Sequence, residues 1–219
     1  MNVFDIIGPV MIGPSSSHTA GAARIGRMVR EILGEDIASA EVTLFSSFAQ
    51  TGVGHGTDKA IAAGLMGYPP DSSRIRNALE VAAKKGIPIH FIFSDRDMGH
   101  PNVAEIKAVG VGGNTVDAIG RSLGGGRIKM TQIDGFPVEI SGDEYTLLTR
   151  HRDIPGIVAK VCQVLASEHI NISTMRVFRR KRGDEAIMMI HTDEKVNLSV
   201  VEQLKNCKDI SRVMAFDRV

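Results

Sequence analysis

Tryptophan is absent from the 219 residues, and only two tyrosines accompany eight phenylalanines. A surface that stacks on nucleobases wants more aromatic rings than that. Charge of one sign is lacking too. The 26 Lys and Arg against 25 Asp and Glu leave a net charge of +1, so no strong field draws the chain to nucleic acid or acidic lipid. No apolar run approaches the ~20 residues that span a bilayer, and Met1-Asn2-Val3-Phe4-Asp5 lacks the basic and apolar regions of a secretory signal. The cytoplasm is the expected compartment. Cysteine is scarce: Cys162 and Cys207 stand far apart in segments that read as helical, and suit small buried apolar positions better than a disulfide framework. Two thiols are also too few to hold a cubane cluster, which takes about four. The histidines show no zinc-like spacing, no acidic cluster resembles a calcium loop, and no Gly-x-Ser-x-Gly elbow, P-loop or dinucleotide fingerprint is present.

What is present describes a folded chain. A hydrophobic share of 43% and a charged share of 23% argue against wholesale disorder, and the length suits two domains. Periodicity divides the chain near residue 143, predicting domains over 1–143 and 144–219. The second reads as strand Tyr145–Arg150, helix after Asp153-Ile154-Pro155-Gly156, strand Ile170–Phe178, and a turn from Arg179 to Asp184. Strand Glu185–Thr192, a helix capped by Asn197 with Leu198, Val201 and Leu204 as its buried stripe, and strand Ile210–Phe216 complete it. Asp153 is expected to cap the first helix and Pro155 to open it. This βαββαβ order is the split ferredoxin-like arrangement. The first domain reads as α+β: a helix from Ala20 to Leu33, a strand from Glu41 to Ser47, and a helix from Thr57 to Leu65. A further helix runs from an Asp71 cap to Lys85, strand Ile89–Phe93 follows, and three or so more strands fit before Ile140, with Gly112-Gly113-Asn114 as a hairpin turn.

Three stretches concentrate chemistry. Gly13-Pro14-Ser15-Ser16-Ser17-His18-Thr19 immediately precedes a predicted helix, whose N-terminal N–H groups and dipole suit a carboxylate or phosphate. Four hydroxyls and an imidazole would add to that site, although a single Ser16 or Ser17 could be doing no more than capping the helix. In Gly52-Val53-Gly54-His55-Gly56-Thr57-Asp58, His55 stands between glycines ahead of another predicted helix. That position suits a neutral imidazole acting as a base, or else a flexible turn facing water. Ser122-Leu123-Gly124-Gly125-Gly126-Arg127 fits a tight bend between strands better than an anion cradle, and His100-Pro101-Asn102 reads as a turn.

Taken together, IGPSSSHT at 12–19, SFAQTGVGHGTDKA at 47–60, HPN at 100–102 and SLGGGRI at 122–128 resemble the β domain of bacterial iron–sulfur L-serine dehydratases. The same region is similar to the allosteric-substrate-binding domain of some phosphoglycerate dehydrogenases. DIPGIVAKV at 153–161 and HINISTMRV at 169–177 resemble an ACT domain, a module that often binds amino acids. The resemblance implies conversion of L-serine to pyruvate and ammonia with a [4Fe–4S] cluster held by the cysteines of a separate α subunit. Ser15, Ser16, Ser17 and Thr19 would then bind substrate, with His18 and His55 as catalytic candidates and His55 as the base for the α-proton. Asp153, Pro155, Gly156 and Asn171 would form a regulatory amino-acid site in the ACT domain. That domain, or the first, would also support homodimerisation. No nucleic acid or membrane partner is expected. A different class of reading remains, a regulatory amino-acid sensor without catalytic residues; a sensor has no need of the two histidines.

Overall fold

A computed structural model describes residues 10–179 and 181–219, so the Met1–Asp5 stretch and Arg180 of the 179–184 turn lie outside the described residues. The chain divides into two compact units. One runs up to Gly135 with Glu139–Gly142 and Val219; the other comprises Phe136–Val138 and Asp143–Arg218.

The first unit begins with a π-helical turn, Ser16–Gly21, that runs into helix α1 (Ala22–Leu33). Strand β1 (Ile37–Ser46), helices α2 (Ser47–His55) and α3 (Thr57–Leu65), and a 3₁₀ turn at Ser73–Asn77 leading into α4 (Ala78–Lys84) follow. Strands β2 (Ile89–Ser94), β3 (Asn102–Gly110), β4 (Thr115–Gly124) and β5 (Arg127–Ile133) follow, and β6 (Phe136–Ile140), whose first three residues are grouped with the second unit, ends the sheet. The sheet order is β2-β1-β3-β4-β5-β6; β1 and β2 are parallel, and β1, β3, β4 and β5 run antiparallel in turn. Ala22, Ile25, Val29 and Ile32 of α1 are buried as their spacing requires, against a sheet face that includes Val42, Leu44, Ile106, Ala118 and Met130. Two glycines join α1 directly to α3. A methyl group on Gly26 would land on the Ile61 carbonyl, and one on Gly64 on the Ala23 carbonyl. The helices therefore meet backbone to backbone.

Several expectations about this unit need correction. Helix α2 is not expected from the glycines around His55, yet Gly52 lies in it and packs closely against Thr57. Asp71 caps neither the 3₁₀ turn, where Ser72 accepts from the Arg74 N–H, nor α4, which follows Asn77. The three or so strands expected before Ile140 are four, β3 to β6.

The second unit has β7 (Tyr145–Arg152), α5 (Ile157–Ser167), β8 (Ile172–Arg179), β9 (Glu185–Thr192), α6 (Leu198–Lys205) and β10 (Ile210–Phe216). Its antiparallel sheet has the order β10-β7-β9-β8, the βαββαβ arrangement read from the sequence. Ile157, Val161 and Leu165 of α5 join Leu147, Met188, Ile190 and Val213 in its core. Asn197 caps α6 by accepting from the Val200 N–H at 3.0 Å. The buried stripe of α6 is Val200, Val201 and Leu204, whereas Leu198, in the first turn, is 79% exposed. Asp153 does not cap α5; Gly156 occupies that position with φ 91°. Cys162 and Cys207 are free and only partly buried, and Cys207 lies just past α6.

Candidate functional site

The strand ends of the first sheet gather the motifs. Ser46, last in β1, pairs with Asn102, first in β3, and Val103 pairs with Arg121 of β4. The β1–α2 junction, the His100-Pro101-Asn102 turn and the β4–β5 hairpin therefore share one end of the sheet. The Ser122 hydroxyl donates to the Ser17 carbonyl at 2.8 Å, and the Gly125 N–H to Ser16 Oγ at 3.3 Å, fastening the 13–19 loop to that hairpin. Gly13 is needed there. Its φ of 134° suits only glycine, and a side chain would strike Thr19. Ser46 itself adopts φ 50°, ψ −123°, a costly conformation for a residue with a side chain.

Ser15 Oγ accepts from the His18 N–H at 3.1 Å, so Ser15 is the capping hydroxyl, not Ser16 or Ser17. The imidazole of His18 is held on both sides. Nδ1 lies 3.0 Å from Ser17 Oγ and 3.5 Å from Ser15 Oγ, and Nε2 lies 3.2 Å from Ser47 Oγ and 3.1 Å from Thr51 Oγ1. The Thr51 hydroxyl donates to the Ser47 carbonyl at 2.9 Å, so toward His18 it can only accept. Using each donor once assigns the His18 proton to Nε2 and leaves Nδ1 to accept from Ser17. Burial first, and then the charge of His55, lower the His18 pKa, opposed by hydrogen bonding of the ring to the Ser47 backbone. The neutral form of this assignment agrees with that direction.

His55 is arranged differently. Its Nδ1 lies 2.9 Å from the Thr51 carbonyl, which can only accept, so Nδ1 carries the proton and Nε2 offers a lone pair. The two imidazoles lie 5.0 Å apart between centroids, and His18 meets Phe48 edge-on at 5.2 Å. The Thr19 hydroxyl donates to the His55 carbonyl at 3.2 Å. His55 ends α2 and stands one residue ahead of Gly56, which precedes α3; a dipole argument from α3 alone does not describe it. Beside it opens a cavity of about 310 Å³ lined by Gly13, Thr19, His55, Lys59 and Arg76, among others.

The structure thus brings Ser15, Ser16, Ser17, His18, Thr19 and His55 together, and adds groups that sequence reasoning passed over. Thr51 touches both imidazoles, one through its hydroxyl and the other through its carbonyl. The Asn102 N–H donates to His100 Nδ1 at 3.1 Å, and Asn102 Nδ2 to the Ser122 carbonyl at 3.4 Å, while Asn102 Oδ1 is buried without a partner among the described residues. Burial, and next the Arg121 guanidinium, lower the His100 pKa. The HPN turn is therefore part of the same cluster. The only signal for it in the sequence was its company with the other motifs. Gly124, Gly125 and Gly126 all have positive φ, as a tight bend requires.

In the second unit the candidate residues do not converge. Asp153 Oδ2 accepts from Arg179 Nη1 at 2.9 Å and from the Gly183 N–H at 3.0 Å. These bonds, the Gly183 N–H foremost, hold its carboxyl below the usual range. Asn171 Nδ2 donates to Asp193 at 2.7 Å, and the Asn171 N–H to Glu194 at 2.8 Å. Asp153 thus sits where β8 ends and Asn171 where it begins. Seven steps of about 3.3 Å make that roughly 23 Å. Pro155 and Gly156 lie in the Asp153 loop.

Fold and site define an α+β chain with a histidine–hydroxyl centre in one unit and an ACT module in the other. Residues 2–88 match the family described as Serine dehydratase beta chain, and residues 145–209 match the ACT domain. The chain is 42% identical to "Probable L-serine dehydratase, beta chain" of Bacillus subtilis (strain 168) over 97% of this chain and 96% of that one. It is 33% identical to "L-serine dehydratase, beta chain" of Peptoniphilus asaccharolyticus over 91% of this chain and 90% of that one. It is also 29% identical to "D-3-phosphoglycerate dehydrogenase" of Bacillus subtilis (strain 168), over 90% of this chain but 37% of that one. The chain belongs to the L-serine dehydratase beta-chain family. Among the described residues, no helix is long and apolar enough to cross a membrane, and no group of His, Cys, Asp or Glu is arranged to hold a metal ion.

Proposed function

We propose that this chain is the β subunit of a two-chain, cytoplasmic [4Fe–4S] L-serine dehydratase that converts L-serine to pyruvate and ammonia. Residues 1–143 would form the part that meets substrate and residues 144–219 the ACT domain. The residues present do not fit the cluster. The two cysteines, Cys162 and Cys207, both belong to the second unit, and a cubane takes about four. The cluster is accordingly assigned to an α subunit.

One observation carries the reading: the Thr51 carbonyl fixes the His55 proton on Nδ1 and leaves Nε2 as a lone pair on a ring that lines a cavity. A base for the α-proton of serine needs that tautomer and that access. His18 has both nitrogens engaged by protein hydroxyls, so its role is to orient Ser17 and Thr51. Ser15, Ser16, Ser17 and Thr19 then frame the substrate.

For the ACT domain we propose homodimerisation through the free edge of β8, the last strand of its sheet. Antiparallel pairing of two β8 edges sets the start of one against the end of the other. Asn171 of one copy would thereby meet the Asp153–Gly156 loop of the second, completing an amino-acid site that one copy leaves divided.

The test is anaerobic co-purification with the cluster-bearing chain, followed by an L-serine to pyruvate assay. Activity from the pair and none from this chain alone is the expected outcome. An inactive pair with an intact cluster would favour the sensor reading.

A further inference from the structure

An anionic substrate needs hydrogen-bond donors, and the 13–19 loop has fewer to offer than its composition suggests. The Ser17 proton goes to His18 Nδ1 in the assignment above, and the Thr19 proton to the His55 carbonyl. Ser15 Oγ lies 3.2 Å from Ser17 Oγ and takes the His18 N–H. Ser16 Oγ accepts from Gly125 and keeps its own proton free. That leaves one hydroxyl proton from this loop for a group with two charged oxygens.

Positive charge lies on the other wall of the cavity. Lys59 of α3 and Arg76 of the 3₁₀ turn, both exposed, line the space beside His55. Neither makes an ion pair or hydrogen bond among the described residues, although elsewhere in this unit Arg30, Lys107 and Lys129 each meet a carboxylate. Among the described residues, no Asp or Glu lines the cavity. Gly54 and Gly56, also in its wall, border open space where a side chain would otherwise stand. The result is a hollow with two uncompensated cations, a basic imidazole and little steric obstruction, which is complementary to a small carboxylate placed next to an acidic C–H bond.

We infer that Lys59 and Arg76 form the carboxylate clamp of this cavity, holding the substrate α-carboxylate so that its Cα–H meets His55 Nε2. The inference rests on the β-subunit reading above and names the recognition element for that same site. Cations there do two things. They oppose the charge of the incoming carboxylate, and they stabilise the further negative charge that grows on it as the α-proton leaves. A substrate analogue bearing an amide in place of the carboxylate gains neither.

The experiment is steady-state kinetics of the reconstituted two-chain enzyme with Lys59→Met and Arg76→Met, alongside inhibition by 3-hydroxypropanoate and by L-serinamide. Loss of one charge-assisted hydrogen bond predicts a rise of roughly 10- to 100-fold in KM for either variant. The inhibition constant of 3-hydroxypropanoate, which keeps the carboxylate, should rise in parallel, while that of L-serinamide, which lacks the carboxylate, should not rise. Lys59→Arg should restore most of the loss. An unchanged KM in both variants, or equal changes for the two inhibitors, overturns the clamp and leaves the subunit reading standing. An inactive wild-type pair removes both together. Thermal unfolding of each variant separates a lost charge from a lost fold.

Discussion

The two units treat their candidate residues in opposite ways. In the first, groups separated by more than thirty residues in the chain converge: His18 and Thr51 are 3.1 Å apart, and the His18 and His55 rings 5.0 Å. In the second, Asp153 and Asn171 are closer in sequence, yet the full length of β8 separates them. The first unit closes its hydroxyl–histidine cluster from its own loops, because strand ends and helix starts collect at one end of a sheet. The second leaves Asp153 and Asn171 at opposite ends of an edge strand, where only the proposed pairing of two copies would bring them together.

That contrast can be broken experimentally. The largest effect is expected from His55→Ala in the reconstituted enzyme, which should lower turnover at least ~10²-fold, as loss of a positioned base does, with a much smaller change in KM. Near-normal turnover would leave neither unit with a base and would cancel the distinction. Next comes Thr51→Val, which keeps the shape but removes the hydroxyl between the imidazoles. We expect about a tenfold loss of kcat, of the order of one hydrogen bond in the transition state, with recovery in Thr51→Ser. Histidine nitrogen shifts read by NMR should show the His18 tautomer disturbed while His55, held by a backbone carbonyl, keeps its own. A kcat loss without any tautomer change would make Thr51 merely structural. The smallest effect on activity belongs to Val177→Lys on the β8 edge, where charge discourages edge pairing. Sedimentation should show the dimer dissociating and calorimetry should lose any amino-acid heat, with turnover unaltered. A variant that stays dimeric would place the interface elsewhere.

The ACT unit was legible nearly residue by residue. Glu185–Thr192 and Ile210–Phe216 alternate or run apolar without interruption, and Asn197 stands where a cap must. Leu198 was misjudged because helical spacing alone does not say that the first turn of α6 faces out. The first unit hid more. Helix α2 carries glycines that lower helix propensity, and burial of Phe48 and the contact of Gly52 with Thr57 support it from outside the segment. Asp153 was read as a cap from its type, yet Arg179 and Gly183, brought near by strand pairing, claim its carboxylate. The chemistry of His18 and His55 was visible in their flanking residues. The division of labour between them was not, since it depends on which acceptor each ring meets across the fold. Thr51 gave no local signal at all, because its hydroxyl and carbonyl act on two different histidines.

The glycine contact between α1 and α3 has a bearing on how this protein tolerates change. His18 lies just ahead of α1 and His55 just ahead of α3, so the spacing of the two helices sets the spacing of the two rings. Gly26 and Gly64 touch neither ring. Even so, an inherited alanine at either position would drive the helices apart and carry the histidines with them. A library of random variants selected for growth on serine should therefore reject substitutions at these two buried positions almost as firmly as at the imidazoles.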